Sequence, residues 1–341
     1  MNILLTSVGR RTYLIDYFKQ AVKGKGKIVA SNSVMTYSLE CADDYVITPG
    51  IYDDGYIHFL IEYCKKHDIN AIISLFDIDL PILAANKKNF EDIGVKLVVS
   101  DKAVVELCND KWKTYTFLKE NGFEQPHTFI SLSACIAAIE TGECQFPVFV
   151  KPRWGMGSIG IYQANNMDEL VVLYAKLNRE IFNTYLKYES KQDINQAILI
   201  QEKIKGQEHG IEVLNNLNGE YVITFVKQKM AMRAGETDVA MVIKNEQMEN
   251  IGQQLSQKLC HIGNLDVDCF LHDNKVYVLE MNCRFGGQYP FTHMAGANVP
   301  KQIVEWLENK PTKSENINIQ YNTIGCKEIL PVKMNNEKYN F

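Results

Sequence analysis

Four side chains late in the chain have the types and spacing to hold a divalent cation against a phosphate: Asp268, Glu280, Asn282 and Arg284. The apolar run Lys275-Val-Tyr-Val-Leu279 predicts a buried strand that ends at Glu280 and Asn282. Residues two apart on a strand project to the same face, so a carboxylate and an amide oxygen meet at one spot, with Arg284 next in the row. Oxygen ligands of this kind suit Mg²⁺, which takes one or two carboxylates together with substrate phosphates. The stretch from Leu265 to Leu271 also reads as a strand, and His272-Asp273-Asn274 as a tight turn. Such a hairpin would bring Asp268 near Glu280. A hairpin with solvated acids has the same pattern, and the rest of the chain must decide between the two.

A second group of residues suits phosphate. Phe146–Val150 predicts a strand with Lys151 at its end, followed by the glycine-rich loop of Gly155, Gly157, Ser158 and Gly160 and a second strand from Ile159. Strand, glycine loop and strand make a flap that can lay backbone N–H groups over phosphates. It is not a Walker A loop, because G-x-x-x-x-G-K-[ST] is absent and no helix follows the glycines. Ala197–Glu202 reads as a strand leading into a crossover. There Glu202 could accept from an exocyclic amino group and Glu208 from ribose hydroxyls. Tyr221–Gln228 reads as a strand, after which Lys227, Lys229 and Arg233 could neutralise a transferring phosphoryl group. Lys111, just before a helix over Trp112–Asn121 closed by Gly122, is by itself indistinguishable from a surface lysine.

The elements that must position these groups are legible in outline. Strand-like runs at Ile3–Val8, Lys27–Ser31, Tyr45–Thr48, Ala71–Leu75 and Val95–Val99 alternate with helical stretches at Thr12–Lys23 and Gly55–Lys66. This alternation predicts an α/β fold with a doubly wound parallel sheet, whose ligands bind beyond the carboxyl ends of the strands. Gly9, Arg10 and Arg11, and also Asp77 and Asp79, fall at those ends. Arg10 or Arg11 could grip a substrate carboxylate bidentately, or could cap and pair locally. Asp77 and Asp79 could equally cap a helix before Leu80-Pro81. The Gly9 loop is not a G-x-G-x-x-G, so it does not predict a dinucleotide site. Met167 opens a long helical region towards Gln192, whose polar part, 176–192, reads as a solvated helix or insertion with no site of its own. Asn250–Ile262 reads as a core helix, Pro300–Glu308 as a surface amphipathic helix, and Ile324–Leu330 as a strand-like piece in a polar tail.

Composition narrows the class. The chain has 341 residues, 46% hydrophobic and 23% charged, enough for two or three domains and a large core. A net charge of −5 without a long Lys/Arg run argues against a nucleic-acid-binding body. Nine scattered cysteines with no C-x-x-C pair argue against zinc and against a disulfide framework. No apolar stretch approaches the ~18–20 residues that span a bilayer, and the start, Met1-Asn-Ile-Leu-Leu-Thr, goes straight into a strand-like run. A cytoplasmic protein without membrane attachment is the expectation. There is no G-x-S-x-G and no Cys–His pairing to suggest covalent catalysis by a side chain.

In their order along the chain, Lys111, Lys151 with its Gly155–Gly160 loop, Gln201-Glu202, Gly206, Glu208, Asp268 and Glu280-x-Asn282-x-Arg284 resemble the ATP-grasp superfamily. The Ser7-Val-Gly-Arg-Arg11 start and the Arg233-Ala-Gly-Glu-Thr237 run give it the flavour of carbamoyl-phosphate synthase large-subunit-like proteins, as a single-unit ligase without a glutaminase segment. The resemblance implies an ATP-grasp fold behind a Rossmann-like pre-ATP-grasp domain. Its expected divisions are 1–107 for that domain, 108–198 for a small subdomain with the flap, 199–311 for a large subdomain with the Mg-ATP site, and 312–341 for a tail. It implies ATP and one or two Mg²⁺, with Mn²⁺ as a substitute. Lys111, Lys151, Gly155, Gly157 and Ser158 would hold phosphates. Glu202, Lys203 and Ile204 would read adenine, and Glu208 ribose. Asp268, Glu280 and Asn282 would bind metal, and Arg284, Arg233 and Lys151 would act on the transferring group. The expected reaction joins a small carboxylate to an amine through an acyl phosphate, releasing ADP and phosphate. The alternatives are carboxylation or phosphotransfer through carboxyphosphate, or non-catalytic nucleotide binding. The general tendency of cytosolic enzymes makes a homodimer the expected assembly.

Overall fold

A computed structural model describes residues 1–334; the last residues of the expected tail, 335–341, lie outside the described residues. Three sheets carry the chain. The first holds β1 (Asn2–Thr6), β2 (Ile28–Asn32), β3 (Asp44–Ile47), β4 (Ile69–Ser74) and β5 (Lys96–Leu97). All pairs are parallel, in the order β3-β2-β1-β4-β5. Both faces are covered, as parallel sheets require: Leu4, Val29 and Ile72 enter one apolar core, while Ile3, Leu5, Ile28, Ala30 and Ile73 enter another. The strand order reverses at β1 and β4. The loops after these two strands, Ser7–Arg11 and Leu75–Asp79, therefore open onto one crevice.

The second sheet is antiparallel and holds β6 (Thr128–Phe129), β7 (Val148–Pro152), β8 (Tyr162–Ala164) and β9 (Ile198–Glu202) in the order β6-β9-β7-β8. The glycine flap is the β7–β8 connection. The third is also antiparallel and holds β10 (Gln207–Asn215), β11 (Tyr221–Arg233), β12 (Glu236–Ile243), β13 (Asn264–His272), β14 (Lys275–Asn282) and β15 (Ile324–Cys326). Its order is β14-β13-β10-β11-β12-β15. The β13–β14 turn has Asp273 at φ +47° and Asn274 at φ +58°. Two successive positive φ values are what a two-residue hairpin turn needs, and Asp and Asn tolerate them.

The structure revises four sequence expectations. The β11 strand runs on to Arg233, so Lys227 and Lys229 lie within it, and the unforeseen strand β12 returns alongside. The polar stretch 176–192 is not one solvated helix. The helix Met167–Glu180 breaks into a 3-10 turn and the short helix Lys187–Ser190, where Leu186, Glu189 and Ser190 are buried. Tyr188 in this segment stacks on Tyr52 of the first sheet's unit, ring centroids 4.2 Å apart, which explains its tyrosine content. Finally, Val299–Leu307 is no surface helix: Val299, Ile303, Val304, Trp306 and Leu307 are buried in the core that also holds Leu14, Ile15 and Phe18 of the helix Thr12–Val22. Its polar side is buried too, because Gln302 and Glu305 accept hydrogen bonds from Asn316.

Candidate active site

The β13–β14 hairpin sets the geometry. Its register pairs Asp266 with Asn282 and Asp268 with Glu280. Asp266, Asp268, Glu280, Asn282 and Arg284 all line one cavity of about 280 Å³. Burial pushes the Asp268 carboxyl up; Lys229 opposes this, and the neighbouring carboxylates of Asp266 and Glu280 add to it. Lys229 Nζ stands 2.7 Å from both Asp268 Oδ1 and Glu208 Oε1. Charge on that lysine is favoured, because the two acids outweigh the cost of its burial.

Lys111 is placed from below. Asp110 caps the helix Lys111–Glu120, accepting from the backbone N–H of Trp112 at 2.9 Å and of Lys113 at 3.3 Å. Arg153 grips the same carboxylate bidentately, at 2.8 and 2.7 Å. The base of the flap is thereby tied to the residue before Lys111. Lys111 Nζ donates to the Gly155 carbonyl and lies 3.6 Å from Glu280 Oε2. Lys151, near the end of β7 as expected, donates to Gln201 Oε1 at 2.6 Å, and Gln201 donates in turn to Thr128 Oγ1 at 2.9 Å. Burial pulls Lys151 down to about 7; Lys111 pulls the same way and Glu280 opposes. Lys111, Lys151, Gly155, Gly157, Ser158 and Glu280 share the wall of a small space of about 80 Å³. It adjoins the larger cavity through Glu280, Gly157, Met156 and Gly235.

The flap lies down on the β11–β12 turn. Ala234 and Gly235 there have φ +48° and +79°, and a Cβ on Gly235 would stand 2.2 Å from Ser158 Oγ. Only glycine allows that approach.

The other sequence candidates fall elsewhere. Glu202, Lys203 and Ile204 line a separate cavity of about 620 Å³ with His127, Lys275 and Tyr277. Glu202 receives the His127 backbone N–H at 3.2 Å, and Lys203 donates to Gln163 at 2.8 Å. Glu208 is engaged with Lys229. Arg233 is exposed, paired with Asp238 and donating to the Lys327 carbonyl at 3.3 Å; it does not line the 280 Å³ cavity. Arg10 is exposed as well. Arg284 is held by Asp77 Oδ2, at 3.1 and 3.0 Å, and by Asp266 Oδ2 at 2.8 Å. Asp79 accepts from Thr6, Ser7, Tyr56 and Ser74 and is wholly buried, a structural anchor under the crevice.

Sequence reasoning passed over two residues and one pairing. Asp266 stands two residues before Asp268, and strand alternation alone would have put it on the same face. Asp77 was named without its partner Arg284, which lies 207 residues away. Glu189 is buried beside the site: burial pushes its carboxyl up to about 7, Lys111 opposes, and Asp77 and Asp110 add to the rise.

Among the described residues, no three His, Cys, Asp or Glu side chains converge to hold a metal by themselves. The donors that do face one space, Glu280, Asn282 and Asp268, fit a Mg²⁺ that completes its shell with phosphate oxygens and water. Burial first, and then the neighbouring Asp266 and Glu280 carboxylates, drive Asp268 up, and a bound cation would offset both.

Two family models match the chain. One described as PylC-like, N-terminal domain covers residues 3–98; one described as ATP-grasp domain covers residues 108–288. The carbamoyl phosphate synthase large chain of Pseudothermotoga lettingae is 20% identical over 298 residues, which is 84% of this chain and 26% of that protein. This chain thus spans about a quarter of the carbamoyl phosphate synthase large chains it matches. The D-alanine–D-alanine ligase of Petrotoga mobilis is 24% identical over 249 residues, 68% of this chain and 74% of that one. In fold, the chain is similar to the biotin carboxylase domain dimer of Hydrogenobacter thermophilus 2-oxoglutarate carboxylase, solved with MgADP, ADP and bicarbonate. The TM-score is 0.72 at 20% identity, over 95% of this chain and 73% of that one. No helix among the described residues is long and apolar enough to cross a membrane.

Proposed function

The chain belongs to the ATP-grasp family, and on that premise we propose that it is an ATP-dependent carboxylate–amine ligase forming an amide or peptide-like bond. The observation that carries this reading is the joining of two spaces at Glu280. A lysine- and glycine-lined slot, suited to phosphates, adjoins a 280 Å³ cavity large enough for organic substrates.

A carboxylate is a poor electrophile, and phosphorylation gives it a good leaving group. In the proposed reaction a carboxylate oxygen attacks the γ-phosphorus and ADP leaves. The amine nitrogen then attacks the acyl carbon, losing a proton as phosphate departs. Lys111, Lys151 and the flap amides of Gly155, Gly157 and Ser158 hold the phosphates. Glu202, Lys203 and Ile204 take the base and Glu208 the ribose, which requires the 620 Å³ groove to close towards the slot. Glu280, Asn282 and Asp268 would hold Mg²⁺, or Mn²⁺ in its place, which would supply charge neutralisation to the phosphates. Arg284, fixed by Asp77 and Asp266, presents a permanent positive charge to the acyl phosphate. Arg233 serves only if the β11–β12 turn swings it inward. The flap excludes water, which would hydrolyse the acyl phosphate. The proposed organisation is 1–107, 108–198, 199–311 and a tail from 312, in a cytoplasmic homodimer acting on small molecules.

The test uses purified chain, Mg-ATP, and pools of small carboxylic acids and amines. ADP and phosphate forming only when both pools are present support the ligase. ADP formation on bicarbonate alone means carboxyphosphate chemistry, and AMP with pyrophosphate means adenylation; either overturns the reading, as does binding without turnover.

Lys151 makes ATP binding pH-dependent. Its ammonium, held at about 7 rather than the ordinary 10.5, is largely deprotonated at pH 8.5 in the free protein. Bound phosphates favour the charged form, so binding takes up a proton there. Mg-ATP affinity is expected to fall by up to about tenfold per pH unit above 7. Calorimetry in two buffers of different ionisation enthalpy at pH 8.5 should give an uptake near one proton, and none in Lys151→Met.

A further inference from the structure

The 280 Å³ cavity is lined by three cations: Arg11, Lys229 and Arg284. Two are committed. Arg284 makes four hydrogen bonds, to Asp77, Asp266 and the Phe285 carbonyl, and Lys229 bridges Glu208 and Asp268. The third is not. Arg11 is half-buried, yet its guanidinium makes no hydrogen bond and no ion pair with any described residue. Its charged surroundings are Arg284, Asp77 and Glu236, with Tyr13 also close. On the same cavity wall, Asp77 Oδ1 is buried without a partner among the described residues, because Arg284 binds only Oδ2. A buried acceptor left unmade is costly, and so is a guanidinium withdrawn from water without a hydrogen-bonded partner. Arg11 ends the β1 loop and Asp77 lies in the β4 loop, so the two flank the point where strand order reverses.

We propose that Arg11 and Asp77 recognise the amine substrate as an α-amino acid: its carboxylate, which does not react, takes the guanidinium fork of Arg11, and its amino group donates to Asp77 Oδ1. The complementarity is of sign and of hydrogen-bond type. A fixed donor fork meets a carboxylate and an orphaned carboxylate oxygen meets an amine, so simple amines and amino-acid amides lose one of the two. The inference rests on the ligase reading for its chemistry but not for its binding.

The test runs the full chain with Mg-ATP and pooled monocarboxylic acids against pooled α-amino acids or the same pool as α-carboxamides. ADP should form with the free amino acids and not with the amides. In Arg11→Met, the amino-acid concentration giving half-maximal rate should rise about 10²-fold, with the KM for ATP changed less than about twofold. Arg11→Lys should recover part of the loss. Amides that serve as well as free acids, or an unchanged half-maximal concentration in Arg11→Met, overturn the proposal and leave the ligase standing. If no pool yields ADP, the ligase reading fails separately, and recognition is read from thermal unfolding. The free amino-acid pool, not the amides, should raise the melting temperature of the wild type and not of Arg11→Met. No rise in the wild type overturns the site as well.

Discussion

Glu280→Gln is expected to lower ATP turnover by about 10³-fold while the chain still folds. Burial alone would push the Glu280 carboxyl up, but Lys111, Lys151, Lys229 and Arg284 outweigh it and hold it below its ordinary value. It is therefore ionised at neutral pH and is the negative centre of that cluster. Its place opposite Asp268, two residues before Asn282 and beside the flap-bound Lys111, puts it on both the phosphate slot and the substrate cavity. Glutamine keeps the volume and one oxygen, and removes only the charge. Circular dichroism and an unfolding curve close to the wild type, with steady-state ADP release nearly abolished, are the expected pair of results. Activity within tenfold of the wild type would show that Glu280 does not hold the metal.

The largest expected loss of stability lies one layer below. Lys227 and Glu212 are both wholly buried, with Nζ 2.7 Å from Oε2, and Thr292 ties them to the helix Tyr289–Met294 through a 2.9 Å bond from Lys227. Glu212 on β10 pairs in register with Asp266 on β13, which lines the cavity. Lys227→Met leaves the wholly buried Glu212 carboxylate without its cation and beside Asp266, with Thr292 still donating to Oε2 and Oε1 lacking a partner among the described residues. The expected cost is about 3–5 kcal/mol. Pairing it with Glu212→Leu should recover most of that, because two apolar side chains of similar volume leave no unpaired charge. Urea unfolding of the single and double variants measures both terms. A single-variant loss under about 1 kcal/mol would mean that the triad is not desolvated in solution.

Much of this arrangement was legible in the residues, and the physical reason differs from place to place. The β13–β14 hairpin could be read because alternation marks both strands and the Asp273-Asn274 turn fixes the register from His272–Lys275 to Cys269–Val278. An irregularity next to Asp268, which no local pattern announced, shifts the pairing by one and puts Asp268 against Glu280 instead of Leu279. The first sheet could be read because buried parallel strands are continuous apolar runs separated by amphipathic helices. The burial of Val299–Leu307 was missed because an amphipathic stripe announces one buried face. It says nothing of Gln302 and Glu305 being satisfied from Asn316 on the other. The extension of β11 was hidden because Met230, Met232 and Arg233 are exposed at the end of a two-stranded projection. The Arg284–Asp77 bridge and the free guanidinium of Arg11 depend on how the first sheet meets the third. No local pattern encodes such a contact between distant segments.

In the proposed reaction a carboxylate is activated by phosphorylation in the cavity beside Glu280. Once the pools name an acid, its ¹⁸O-labelled carboxylate tests this directly by mass spectrometry of the products. The account predicts that one labelled oxygen per turnover appears in inorganic phosphate, with ADP unlabelled. Label in AMP, or none in phosphate while the amide still forms, would contradict it.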